Sequence, residues 1–135
     1  MIIEANIADS EEVVALWRTC GLVRPWNDPE GDFHLALESP SSTVLIVRQA
    51  DALAGSAMVG FDGHRGWVYY VAVAEAQRGG GLGRALMAAA EQWLRACGCP
   101  KIQLMVRTSN EAAIGFYEAL GLERQEVVTL GRFLK

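Results

Sequence analysis

Residues 76–84 read AQRGGGLGR, four glycines and two arginines in nine positions. They stand between an apolar run, WVYYVAV at 67–73, and an alanine-rich segment in which Leu82, Leu86, Ala89, Trp93 and Cys97 recur at helical spacing. A strand that is apolar throughout is expected in the middle of a sheet, covered on both faces. Strand, glycine turn and helix are then followed by KIQLMVR at 101–107, which reads as a second strand. A strand–helix–strand unit in one sheet makes its two strands parallel and its crossover right-handed. The glycine loop therefore fixes the architecture: helices packed on a sheet with at least one parallel pair.

The rest of the chain fills in the sheet. Residues 2–7 form a first strand, and Asp9 or Ser10 caps a helix over 10–20 with Val13, Leu16, Trp17 and Cys20 on one face. Gly21 ends that helix, and LVRPWNDPEGD reads as a loop before a short helix at 29–38 presenting Phe33, Leu37 and His34. Residues 43–49 and 53–61 are strands joined in a hairpin near Asp51, and DGHRG at 62–66 turns the chain into the apolar strand. Ser109 or Asn110 caps a helix to Leu120, Gly121 stops it, and EVVTLGRFL at 126–134 closes the chain as a last strand. The order β-α-α-β-β-β-α-β-α-β gives a mixed sheet of class α+β (α/β). With 135 residues and 51% hydrophobic content, positions 1–135 are expected to form a single domain.

Charge and composition narrow the function. A net charge of −4 leaves no basic face for nucleic acid. No apolar run approaches the roughly 20 residues that span a membrane, and the N-terminus lacks a basic region followed by an apolar one. Cys20, Cys97 and Cys99 are odd in number and lack histidines at zinc spacing, so neither a disulfide framework nor a metal site is expected. Reduced thiols point to the cytoplasm.

A basic glycine loop on an acidic protein suits a small anionic ligand. A helix N-terminus offers unpaired N–H groups and the positive end of the helix dipole. Glycines let successive N–H groups converge, which suits phosphate or diphosphate, with Arg78 and Arg84 adding charge-assisted hydrogen bonds. A Walker A loop requires lysine and then serine or threonine, but Gly83 is followed by Arg84-Ala85. A dinucleotide fingerprint requires a small residue where this chain has Leu86.

Taken together, VAV at 71–73, a four-residue spacer and Arg78-Gly-Gly-Gly-Leu-Gly resemble the R-x-x-G-x-G/A acetyl-CoA motif of the GNAT acetyltransferases. RTSNEAAIGFYEALGL at 107–122 resembles the second signature of that superfamily, with Leu122 in place of its usual aromatic residue. RPWNDPEGD, GFDGHRGWVYYVAV and TLGRFL look most like its YpeA-type branch. The resemblance covers the chain and implies a mixed sheet of six to seven strands flanked by about four helices. It implies acetyl-CoA as cosubstrate and no metal. Backbone amides of Arg78, Gly79, Gly80, Gly81, Leu82, Gly83 and Arg84 would hold the diphosphate. The backbone of Val71, Ala72 and Val73 would pair with the pantetheine arm at a strand bulge, and an amide there would polarise the acetyl carbonyl. Asn110 would bond the cofactor arm, and Tyr117 would protonate the departing thiolate. Read without the resemblance, Asn110 is a helix cap and Tyr117 a packed aromatic residue.

The proton acceptor does not transfer. The positions where relatives of this kind carry a glutamate match Tyr69 and Met105 here. Asp62, His64 and Tyr70, with solvent as relay, are the substitutes, His64 for its near-neutral titration. Trp26, Asn27, Asp28, Asp62 and Arg65 are candidates for the acceptor pocket, with Asp28 or Asp62 holding a cationic amine and Arg65 a carboxylate. The same stretches also read as ordinary turns. The expected activity is N-acetylation of a primary amine on a small molecule or peptide, by direct attack, in a monomer or homodimer. Its rivals are a non-catalytic acyl-CoA sensor and a protein N-terminal acetyltransferase.

Overall fold

Two successive hairpins dictate the middle of the sheet, and the first strand pairs beside them across two intervening helices. In the computed structural model, which describes residues 1–135, strands β1 (Ile2–Glu4), β2 (Ser42–Gln49), β3 (Ala52–Phe61) and β4 (Gly66–Val73) are antiparallel neighbours. β5 (Ile102–Leu104) joins β4 in parallel, so the order is β1-β2-β3-β4-β5. The β2–β3 turn places Ala50 and Asp51 at φ 50° and 69°, the left-handed pair that matches strand twist in a tight hairpin.

Helices α1 (Ser10–Thr19) and α2 (Pro29–Glu38) cover one sheet face. Val13, Leu16, Trp17 and Phe33 pack there on Val44, Ile46 and Ala72. Trp17 and Phe33 are completely buried, each contributing roughly 1.5–3 kcal/mol of apolar transfer. Helix α3 (Leu82–Ala96) covers the other face, where Leu86 meets Val47, Ala54 and Ala57. Its buried row is Leu86, Met87, Ala90 and Leu94, one position away from the expected row through Ala89, Trp93 and Cys97, and Cys97 is exposed. Alanines on both sides of the helix made the two rows nearly equal in pattern.

Asp9 occupies the N-cap position of α1 but gives that helix no side-chain cap. Its carboxylate accepts from the Asn6 amide and from Arg48 Nη2 at 2.8 Å, and Arg48 also reaches Glu12. This fork ties the start of α1 to the end of β2.

Residues 1–105 and 106–135 form two separate contact units. The second holds helix α4 (Glu111–Ala119), ended by Gly121 at φ 95°. The expected strand at 126–134 is not present, so the sheet has five strands and not six or seven. Val127, Val128, Leu130, Phe133 and Leu134 are exposed. β-branched and apolar residues favour a strand only where a partner ladder receives their N–H and C=O groups, and this segment has none.

Candidate active site

β4 changes its relation to both neighbours halfway along. Met58 lies opposite Tyr69, and Ser56 opposite Ala72, so β3 advances two residues while β4 advances three. The extra residue is a bulge, and it falls at Tyr70, whose φ is 52°. On its other side, β4 pairs with β5 only at Gly66, Trp67 and Val68. From Tyr69 to Val73 that edge has no strand beside it. Val71 and Val73 point toward Leu82 and Leu86 on one face, Ala72 toward the Trp17 core on the other. What remains for a ligand along this edge is backbone.

The strand runs through a 3-10 turn at Glu75–Gln77 into the glycine loop. Gly79 and Gly81 sit at φ 84° and 86°, where a side chain is disfavoured, and a Cβ at either would touch nothing within 4 Å. Backbone conformation, not space, is therefore what requires glycine. Gly81 is the N-cap of α3 and has no side chain to satisfy the first helical amides. The first turn of α3 carries no acidic residue, and exposed Arg84 lies in it. Arg78 turns the other way: its Nε donates to the Val73 carbonyl at 3.1 Å, and Nη2 lies 3.6 Å from Cys20 Sγ. Its guanidinium braces the end of β4 against the loop.

Tyr70 is held from three directions. Its ring stacks on Trp17 with centroids 3.8 Å apart. Its carbonyl accepts from Ser56 Oγ at 3.2 Å, and Ser56 Oγ in turn accepts from Trp17 Nε1 at 2.9 Å. Its hydroxyl donates to Asp32 Oδ2 at 2.7 Å. Burial first, then the Asp32 hydrogen bond and the charges of Asp32 and Asp28, push the phenol well above its ordinary range. Tyr70 is thus a hydrogen-bond donor at neutral pH and does not fit the role of proton acceptor expected for it. Asp32 escaped sequence reading because an acid in the first turn of a helix is ordinary. Only the fold brings it to Tyr70.

The other expected residues divide between two turns. Asp62 Oδ1 accepts from the amides of His64 and Arg65, and Oδ2 from Trp67 Nε1 at 3.1 Å. Those hydrogen bonds, the Arg65 amide foremost, hold its carboxyl below the usual range. Arg65 Nη1 returns to the His64 carbonyl, and His64 is exposed. These are the bonds of a self-contained turn. Asn27 Oδ1 accepts from the Arg24 amide, and Asp28 caps α2 by accepting from Gly31. Trp26 stands exposed beside them. Of the expected pocket, Asp28 is brought into the electrostatic field of Tyr70, whereas Asp62 acts on Tyr69.

In the second unit, Asn110 Oδ1 accepts from the Ala113 amide and caps α4. Tyr117 packs edge-on against Phe116, centroids 5.0 Å apart, and burial raises its phenol above the ordinary value. No helix is long and apolar enough to cross a membrane.

A mixed sheet whose fourth strand bulges, loses its parallel partner and enters a glycine turn at a helix N-terminus defines an acyltransferase fold. The chain belongs to the acetyltransferase (GNAT) family, whose model matches residues 10–122. It is 46% identical over 127 residues to an acetyltransferase of Yersinia enterocolitica, covering 94% of this chain and 90% of that one. An acetyltransferase of Pectobacterium atrosepticum is likewise 46% identical, over 93% of this chain and 89% of its own. Among solved structures, AAC(6')-Iy in complex with a bisubstrate analogue, CoA-S-monomethyl-acetylneamine, superposes with a TM-score of 0.84 at 19% identity over 98% of this chain and 97% of that one. A transcriptional regulator from Bacillus halodurans C-125 gives the same score at 22% identity, covering 98% and 99%. The structural matches establish the fold.

Proposed function

We propose that the chain is one acetyltransferase domain that moves the acetyl group of acetyl-CoA to a primary amine of a small molecule or protein. The observation that carries this reading is the free edge of β4 from Tyr69 to Val73, continuous with the glycine loop and the start of α3. That edge offers main-chain groups to the amide-bearing pantetheine arm. The amides of 79–84 suit the diphosphate, helped by the absence of acidic residues in the first turn. The residues present therefore fit coenzyme A.

The transfer is direct. The amine nitrogen bonds to the acetyl carbon, the carbon–sulfur bond breaks, and the thiolate leaves with its electron pair. One proton passes from the ammonium to solvent before attack; a second leaves the bonded nitrogen as the carbon–sulfur bond breaks and, through solvent, replaces the one delivered to the thiolate. By the resemblance of residues 107–122 to the second family signature, Tyr117 is proposed as the donor of the proton delivered to the thiolate. Asp28, half of whose carboxylate is committed to capping α2, supplies negative charge for a cationic acceptor beside Tyr70. Asp62, Arg65 and Asn27 are left to their turns. The free cysteines suit a reducing compartment.

The test is release of free thiol from acetyl-CoA against a panel of primary amines, including a polyamine, an aminoglycoside and an N-terminal peptide. Turnover on one of them supports the reading. Saturable binding of coenzyme A with no turnover on any would replace it with an acyl-CoA sensor on the same fold.

A further inference from the structure

We infer that Asp32 is a positioning residue of the acyl site: through the Tyr70 hydroxyl it holds the bulge of β4 in the geometry that aims the adjoining amides at the acyl group. This rests on the acetyl-CoA reading above and assigns a residue to it that lies outside both sequence signatures.

Tyr70 has a left-handed φ of 52° although it is not glycine. Such a conformation persists only where the surroundings over-determine it. Two of its three restraints belong to the core, the Trp17 stack and the Ser56 hydrogen bond to its carbonyl. The third does not. Asp32 is half-buried, comes from the first turn of α2 and makes a single side-chain hydrogen bond, 2.7 Å to the Tyr70 hydroxyl. Packing alone does not demand this bond, since a half-buried phenol at a helix end is readily served by water. A carboxylate acceptor is shorter, stronger and more directional than water.

The consequence lies in the peptide planes on either side of Tyr70. Neither Tyr70 nor Val71 has a register partner on β3, and both lie past the last pair with β5. The regular register skips both residues, so the side-chain anchors of Tyr70 add to what sets the orientation of those planes. Ser56 fixes the carbonyl end and Asp32 the ring end, and rotation of either tilts the Tyr70–Val71 amide. Misplacement by about 1 Å in such a donor is enough to cost on the order of 10²-fold in rate.

The experiment follows acetyl-CoA, isotope-labelled at its acetyl carbonyl carbon, by NMR on the full chain, with affinity for coenzyme A measured by calorimetry. No acceptor amine is needed. The carbonyl resonance is expected to move downfield on binding to the native protein, as polarisation by an amide requires. In D32A and Y70F that displacement is expected to shrink toward the free value while affinity for coenzyme A holds within about twofold. D32N keeps an acceptor oxygen for the Tyr70 hydroxyl and is expected to restore most of the displacement. A full displacement in D32A and Y70F overturns the assignment. So does a D32N indistinguishable from D32A, which would place the effect in the charge. Native protein that binds coenzyme A without moving the resonance also overturns it and leaves the cosubstrate reading standing. Failure of the native protein to bind coenzyme A at all overturns that reading instead, and the assignment with it.

Discussion

The indole of Trp17 lies flat on the ring of Tyr70, centroids 3.8 Å apart and planes inclined by only 7°. One residue belongs to α1, the other to the bulge of β4. Ser56 closes the triangle by accepting from the indole and donating to the Tyr70 carbonyl. The hydrophobic core and the proposed acyl site thus share their most constrained residue.

Ser56 is completely buried, so Ser56→Ala leaves the Trp17 N–H with no acceptor and no water to replace it. A loss of about 1–3 kcal/mol is expected from equilibrium denaturation, with an unchanged denaturant slope. A loss below about 0.5 kcal/mol, the range of neutral surface substitutions, would show that the hydrogen bond contributes little.

Gly81 is held at φ 86° in open space. Gly81→Ala is expected to cost about 1–2 kcal/mol through the left-handed backbone, and to weaken coenzyme A binding as the loop relaxes. Thermal unfolding and calorimetry on the same variant separate the two effects. Gly80, at negative φ with only the Gln77 carbonyl within 4 Å of a Cβ, should tolerate alanine with a smaller loss of stability.

Tyr117→Phe removes the proposed proton donor and keeps the packing with Phe116. Turnover is expected to fall on the order of 10²-fold while affinity for coenzyme A is retained. Equal losses in both would assign Tyr117 to packing or binding instead.

Asp62 titrates below its ordinary value because its turn donates to the charged form. The sign follows: a depressed folded pKa favours the fold above the unfolded value near 3.8, and that contribution is lost as pH falls through the folded value. Acid unfolding of Asp62→Asn should therefore show a shallower loss of stability in that acid range than the native chain. Identical acid profiles would contradict it.

Much of this was legible in the residues. Helix boundaries were marked by Gly21, Asn110 and Gly121, each a residue type with one dominant backbone use at a helix end. The loop at 78–84 was legible because αL glycines before a helix have few other uses. The bulge was not. YYVAV is apolar at every position, so a one-residue shift in the pleat leaves no break in alternation to read. Asp32 was hidden for a related reason: its partner lies 38 positions away, reachable only once α2 is packed on the sheet. The last segment misled, because Val127, Val128, Leu130 and Phe133 have strand propensity without a strand to join.

Calorimetric titration of the folded chain with coenzyme A, and in parallel with pantetheine, tests the central claim most directly. If amides of the 78–84 loop hold the diphosphate, coenzyme A binds saturably and pantetheine, which lacks it, binds at least about tenfold more weakly, a difference of about 1.4 kcal/mol or more. No heat with coenzyme A, or equal affinity for the two, would contradict the account.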